Sequence, residues 1–243
     1  MSSQFLILTL SGWLGVIAVI LIASLSPELK NRPPLIFKYP ARERNAALIT
    51  VLVFFLLSIA LAIFTPDWIL SLPGRFSSMQ WTIAVLSILI VLIAFLVLRY
   101  RKQPFLSFGW HKKLWRPASR LGIALVFLAF FLSGAISRFK EVLSSDSLLT
   151  FAFLIVIHLA WETAIRGYLQ PRFSAWLGGT WGWLATSVIG VLLVLPIGLS
   201  FGLSNEFILT TIGNQFILGW IMKNSGHVFP GAIWAAASAW LAL

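Results

Sequence analysis

Cysteine is absent from the 243 residues, which excludes disulfides and thiolate zinc sites. Charge is scarce too: 10% of the residues are Asp, Glu, Lys or Arg, 59% are hydrophobic, and the mean hydropathy is +0.94. A soluble domain carries roughly 25% charge, so this composition indicates an integral membrane protein. Acids number only seven against 18 Lys and Arg, a formal net charge of +11. The basic residues sit in short loops beside apolar runs, where they orient the chain and touch anionic lipid, so a nucleic-acid partner is not indicated. The first apolar run, 5–25, lacks both a positive charge ahead of it and a small-residue cleavage site, since Ser26-Pro27 follows; it reads as a retained helix, not a signal peptide. Tandem repeats and low-complexity linkers are also missing.

What is present is a series of apolar stretches. A spanning helix needs about 20 apolar residues. Candidates are 5–25, 46–65, 81–99, 120–137 and 148–169. A less regular region, 183–204, is interrupted by Pro196 and Gly198, and 207–222 and 230–243 follow. The expected fold is therefore all-α, a polytopic bundle of about eight spans or partial spans. The loop after the first run carries Lys30, Arg32, Lys38, Arg42 and Arg44, with Pro27, Pro33, Pro34 and Pro40 favouring an extended path. The loop before the fourth run carries Arg99, Arg101, Lys102, Lys112, Lys113, Arg116 and Arg120. The alternate loops are poor in net positive charge: 66–80 has only Arg75, and in 138–147 Glu141 and Asp146 offset Arg138 and Lys140. The positive-inside rule then places the rich loops in the cytoplasm and the N-terminus outside. We divide the chain into N-terminal hairpins, 1–139, and a motif-bearing unit, 140–243.

The most informative stretch is His158-Leu-Ala-Trp-Glu162-Thr-Ala-Ile-Arg166-Gly-Tyr-Leu169, an acid and a base inside an apolar run. Glu162 and Arg166 are four apart, which on a helix puts both on one face at pairing distance, with His158 one turn earlier. An ionisable group in hydrocarbon costs at least about 2.5–3.5 kcal/mol and is by default a functional candidate.

Trp161-Glu162-Thr-Ala-Ile-Arg166-Gly-Tyr-Leu resembles the Glu-Glu-x-x-x-Arg-Gly-Tyr-Leu motif of the CPBP family, the CAAX-protease and bacteriocin-processing (Abi) membrane proteins. Phe201-Gly-Leu-Ser-Asn205 resembles its Phe-Gly-x-x-His motif, and Gln215 to Pro230 the segment leading into its third motif. The resemblance covers 160–243 as an ordered set; 1–140 adds a compatible helix count. It implies a CPBP-protease-like bundle and intramembrane peptide hydrolysis. Motif glutamates would activate water, while histidines and a final Asn or Asp, with or without a metal, bind it and stabilise the oxyanion.

The chain departs from that pattern at its chemical positions. Trp161 replaces the first glutamate and Asn205 the second-motif histidine. Ala235 and Ala239, or Trp234 and Ser238 in a shifted register, fall where a histidine and an Asn or Asp are expected. Asparagine is a poor metal ligand beside imidazole, and Ala and Trp are none. The frame residues remain: Arg166, Gly167, Tyr168, Leu169, Phe201, Gly202, Gly219 and Pro230.

Each remaining polar residue has two readings. Glu162 and Arg166 are a remnant base and its positioner, or a buried ion pair locking the bundle. His158 is a replacement histidine sharing a site with Glu162, or a neutral histidine bonded to a neighbouring helix. Asn205 and Glu206 face Glu162 if Pro196 and Gly198 break the preceding segment, or mark a helix boundary on the opposite side if it crosses fully. His227 reads as an interfacial loop residue and His111 as solvated. Gly178, Gly179, Gly182 and Gly190 permit close helix contact.

The leading expectation is a catalytically degenerate member, a pseudoprotease acting as an assembly, chaperone or scaffold subunit. Its partners would be membrane proteins or lipid-modified hydrophobic tails. The alternative is an active endopeptidase with Glu162 as general base, helped by His158 or Asn205. No cofactor is expected, with a metal ion only in the active case. The expected location is a bacterial plasma membrane or a thylakoid-type internal membrane. Solute transport would need a second ionisable site, which the early helices do not offer.

Overall fold

The computed structural model describes residues 3–30, 37–65, 76–202 and 204–241, and among these the regular structure is all helical. Nine principal helices follow one another. They are α1 (Ser3–Ser24), α2 (Pro40–Ile63), α3 (Ser78–Tyr100), α4 (Trp115–Leu132) and α5 (Ser145–Glu162). A π-helical segment (Thr163–Leu169) continues α5 into α6 (Gln170–Leu177), followed by α7 (Gly179–Ser200), α8 (Asn205–Ser225) and α9 (Phe229–Leu241). Five stretches are long and apolar enough to cross a membrane: Pro40–Ile63, Ser78–Tyr100, Lys112–Leu132, Ser145–Leu177 and Gly179–Ser200. The chain is an integral membrane protein by this measure. α8 is long enough but interrupted by Thr210, Thr211, Asn214 and Gln215, and the 13 residues of α9 fall short of the ~20 a full span requires.

Local chemistry sets the ends. The Ser77 hydroxyl caps α3 and the Gln80 side chain reaches back to it, a reciprocal capping box. Ser144 and Ser204 cap α5 and α8, with Asp146 and Glu206 in their first turns where the helix dipole favours acids. The fourth span starts five residues earlier than the sequence suggests. Trp115 opens it with Pro117 in the first turn, and the 133–138 stretch turns away at Gly134, whose φ of +69 is left-handed. Arg116 and Arg120 are carried on its first turns. Pro27 and Pro40 also depart from the expected extended loop, since each opens a helix, Pro27–Lys30 and α2. Residues 31–36 and most of the charge-poor loop 66–80 lie outside the described residues.

Pro196 does not break α7. Its missing N–H leaves the Leu192 carbonyl without a ladder partner, and one residue on the Ser58 hydroxyl of α2 donates to the Leu193 carbonyl at 2.5 Å. A neighbouring helix thus braces the turn ahead of the proline. α7 therefore runs the full 22 residues and α8 returns antiparallel against it.

The sequence halves interleave. α1 packs on α4 and α8, α2 on α7, and α9 on α4 and α5. One core joins Phe54, Leu86, Ile90, Ile165, Leu169 and Ile197; a second joins Val16, Ile20, Leu125, Ile221 and Trp234. Lipid gives no hydrophobic drive between helices, so close contact must supply the attraction. A Cβ on Gly213 would lie 2.0 Å from the Trp13 ring, and one on Gly182 2.4 Å from the Ser174 backbone, so α1–α8 and α6–α7 are glycine contacts. The opposite faces, such as Leu48, Ile49, Leu52 and Leu56 of α2, are exposed and apolar, as a lipid boundary requires.

Candidate functional site

Glu162 and Arg166 lie at the end of α5 and in the π-helical turn. Arg166 is fully buried and Glu162 is 1% exposed. The turn is widened just ahead of Pro171, which lacks the N–H that would bond the Gly167 carbonyl and whose ring needs room. The Arg166 Nε lies 3.7 Å from Glu162 Oε2, an i,i+4 ion pair. Its shorter contacts reach α8: Nη2 donates to the Gln215 carbonyl at 2.6 Å and to Gln215 Oε1 at 2.7 Å. Gly190 makes room for this, because a Cβ there would sit 2.2 Å from Gln215 Oε1. Gln170 Nε2, one turn on, donates to the Gly219 carbonyl at 2.9 Å. Glu162 Oε1, Arg166 Nε and Nη1, Gln170 Oε1 and the Trp161 indole N–H are buried with no hydrogen-bond partner among the described residues.

Beside this cluster, in the half of the bundle away from the basic loops, lies a cavity of about 570 Å³ walled by α1, α3, α4, α5, α7, α8 and α9. Trp161, Ala235 and Ala239 line it, together with Trp234 and Ser238. These are positions at which the sequence departs from the first and third resembled motifs; Asn205, which departs from the second, is not among the lining residues. His158 lines it at mid-depth and is half-buried; among the described residues no hydrogen bond or ion pair engages its ring. Glu162 and Arg166 do not line the cavity. Glu162 Oε2 faces Gly231 of α9 instead, where an added Cβ would meet it at 3.4 Å. The structure thus separates His158 from Glu162: one faces the cavity, the other the packed cluster.

Asn205 is brought to neither. It is exposed at the start of α8, ten residues and roughly 15 Å along the helix axis from Gln215. Because α7 is continuous through Pro196, Asn205 and Glu206 follow the second of their two readings, a helix boundary away from Glu162. His227 needs correction. It lies in the turn before α9 but is 1% exposed, packed edge-on against the Trp110 and Trp115 rings, with Nδ1 accepting the Phe229 N–H at 3.1 Å. Burial, and secondarily the nearby His111, pull its pKa from 6.5 down to about 4. His111 itself is half-buried rather than fully solvated.

Sequence reasoning missed a second buried charge cluster at the basic end. Arg172 of α6, 1% exposed, holds Glu43 of α2 at 3.1 Å and donates to the Tyr168 and Ser107 carbonyls at 2.6 and 3.2 Å, and to Gln103 Oε1. Arg101 takes the other Glu43 oxygen at 2.5 Å. The one available signal was Glu43 itself, a single acid among Lys38, Arg42 and Arg44.

The donor set does not suit the metal that the resemblance allows. Among the described residues no three His, Asp or Glu side chains gather. The cation nearest Glu162 is the Arg166 guanidinium, which would repel a metal ion. No family model, no curated protein and no solved structure matches the chain.

Proposed function

We propose that this chain is a CPBP-like membrane protein without hydrolytic activity, which holds an apolar segment of a membrane partner, a helix or a lipid-modified tail, in its cavity. It would serve as an assembly, chaperone or scaffold subunit. One observation carries the reading. The first- and third-motif positions aligned with the family's chemistry, Trp161, Ala235 and Ala239, form cavity wall, Asn205 lies outside it, and the one retained carboxylate, Glu162, is packed outside it against Arg166 and Gly231. A general base must come within hydrogen-bond reach of the reacting water. Here the carboxylate would have to leave its cation to do so. The cavity lies within the 300–1,000 Å³ range of ordinary ligand sites, so it can take up a group of that size. The basic loops would face the cytoplasm and its anionic lipid, with the N-terminus outside, in a plasma membrane or a thylakoid-type membrane.

The test is quantitative co-purification from native membranes of wild type, Ala235→Trp and Glu162→Gln at equal expression. The reading expects a stoichiometric intact partner that Ala235→Trp releases by filling the cavity. A partner retained by Ala235→Trp would overturn it. A full-length protein trapped by Glu162→Gln, with its shortened product in wild-type cells, would establish instead an endopeptidase using Glu162 as base.

A further inference from the structure

The cavity wall is not uniformly apolar: it carries the nitrogen-bearing side chains of His158, Trp161, Asn214 and Gln215. His158 and Trp161 are three apart on α5 and so project from one helix face. Among the described residues no hydrogen bond engages the His158 ring, which as a neutral imidazole carries one N–H and one acceptor nitrogen, whereas the unpartnered Trp161 indole N–H is sealed behind the wall. Across the cavity on α8, Asn214 spends its oxygen on the Trp13 indole at 2.9 Å and Gln215 spends its oxygen on Arg166 at 2.7 Å. Each amide is left with N–H groups that make no hydrogen bond among the described residues. The Arg166 cation pulls on the Gln215 carbonyl from behind, which polarises that amide further toward donation. The site therefore offers donors from two helices at mid-depth, surrounded by hydrocarbon side chains such as Leu128, Val194 and Leu218.

Such a site discriminates by chemistry. A pure hydrocarbon, or an isoprenyl chain joined through a thioether, brings no acceptor comparable to a carbonyl and would leave these N–H groups dry and unpaired, the costly outcome for a buried donor. We infer that the cavity recognises an acyl group, with the carbonyl or carboxyl oxygen accepting from the His158 N–H and the Asn214 and Gln215 amides and the alkyl chain filling the apolar wall. This rests on the reading of the cavity as a binding site and narrows its occupant. The acyl group can come from a free fatty acid or from an acylated partner, and the donors serve both.

Equilibrium binding to the purified full chain in maltoside micelles tests it, with tritiated palmitate, S-palmitoyl-N-acetylcysteamine and hexadecane as probes. At least one carbonyl probe should bind saturably at one per chain, with hexadecane at least tenfold weaker. Binding of palmitate alone assigns the free acid as the source, and binding of the thioester assigns an acylated partner. His158→Phe keeps the bulk and removes the donor; it should weaken the carbonyl probes about threefold to tenfold while leaving hexadecane unchanged. Equal affinity for hexadecane, an unchanged His158→Phe, or no binding of either carbonyl probe to folded wild type would overturn acyl recognition. If Ala235→Trp nevertheless releases the partner in native membranes, the broader cavity reading survives that failure; if the partner stays, that reading falls as well.

Discussion

Glu162 and Arg166 should behave as a coupled pair whose joint loss costs less than the sum of the two single losses. At 3.7 Å the attraction is about 4–5 kcal/mol at an effective dielectric of ~20. Removing two ions from water costs several kcal/mol each, so the intact pair adds little net stability over a neutral one. Deleting one partner leaves the other buried and uncompensated, typically at about 3–5 kcal/mol. The two halves differ. Glu162→Gln leaves Arg166 with its two bonds to Gln215, so its cost belongs at the low end, about 3 kcal/mol. Arg166→Met strands the carboxylate and frees the Gln215 oxygen, placing it near about 4–5 kcal/mol. The double variant removes both charges and should cost no more than about 4 kcal/mol, a coupling of roughly 3–4 kcal/mol. For a chain of this length, 3 kcal/mol is roughly 6–12 °C in Tm. Unfolding in detergent, followed by tryptophan fluorescence at pH 7.5 for the four members of the cycle, measures it. Additivity within about 0.5 kcal/mol would refute the pairing, whatever the single values are.

Three further outcomes follow from the contacts. A Cβ on Gly167 would lie 2.1 Å from the Phe108 carbonyl oxygen, a backbone atom, so Gly167→Ala must push the 105–108 turn off the π segment. It should cost about 1–3 kcal/mol or more in the same unfolding assay, and an unchanged midpoint would mean the turn is not docked there. Arg172→Lys should lose about 2–4 kcal/mol, because one ammonium cannot serve Glu43, two carbonyls and Gln103 together; full stability in the lysine variant would contradict the fork geometry. His227 titrates near 4 when folded and near 6.5 when not, so the unfolded chain binds the extra proton between those values. Stability should be constant above pH 6.5 and fall by up to about 3 kcal/mol as pH drops from 6.5 to 4. Subtracting the His227→Gln profile isolates this component, and identical profiles would exclude His227 as its source.

The membrane class, the all-helical fold and the order of the spans were legible in the sequence because contact with lipid is a local requirement. Each helix must satisfy its own backbone and cover itself with apolar side chains, and that is recorded residue by residue. The Glu162–Arg166 spacing is legible for the same reason: the two residues lie four apart. Tertiary structure alone decided what those residues face. Arg172 meets Glu43 across 129 positions, Gln215 meets Arg166 across 49, and Ser58 supports the turn ahead of Pro196 across 135. Pro196 looked like a break because proline removes a ladder bond of its own helix, whereas α2 braces that turn through Ser58 and the helix continues. Glu162 and His158 shared a face by spacing, yet one packs against α9 and the other lines a cavity, since seven helices from both ends of the chain enclose that space. Spacing along a helix sets which direction a side chain points; the neighbours that fill that direction are chosen by packing across the whole bundle.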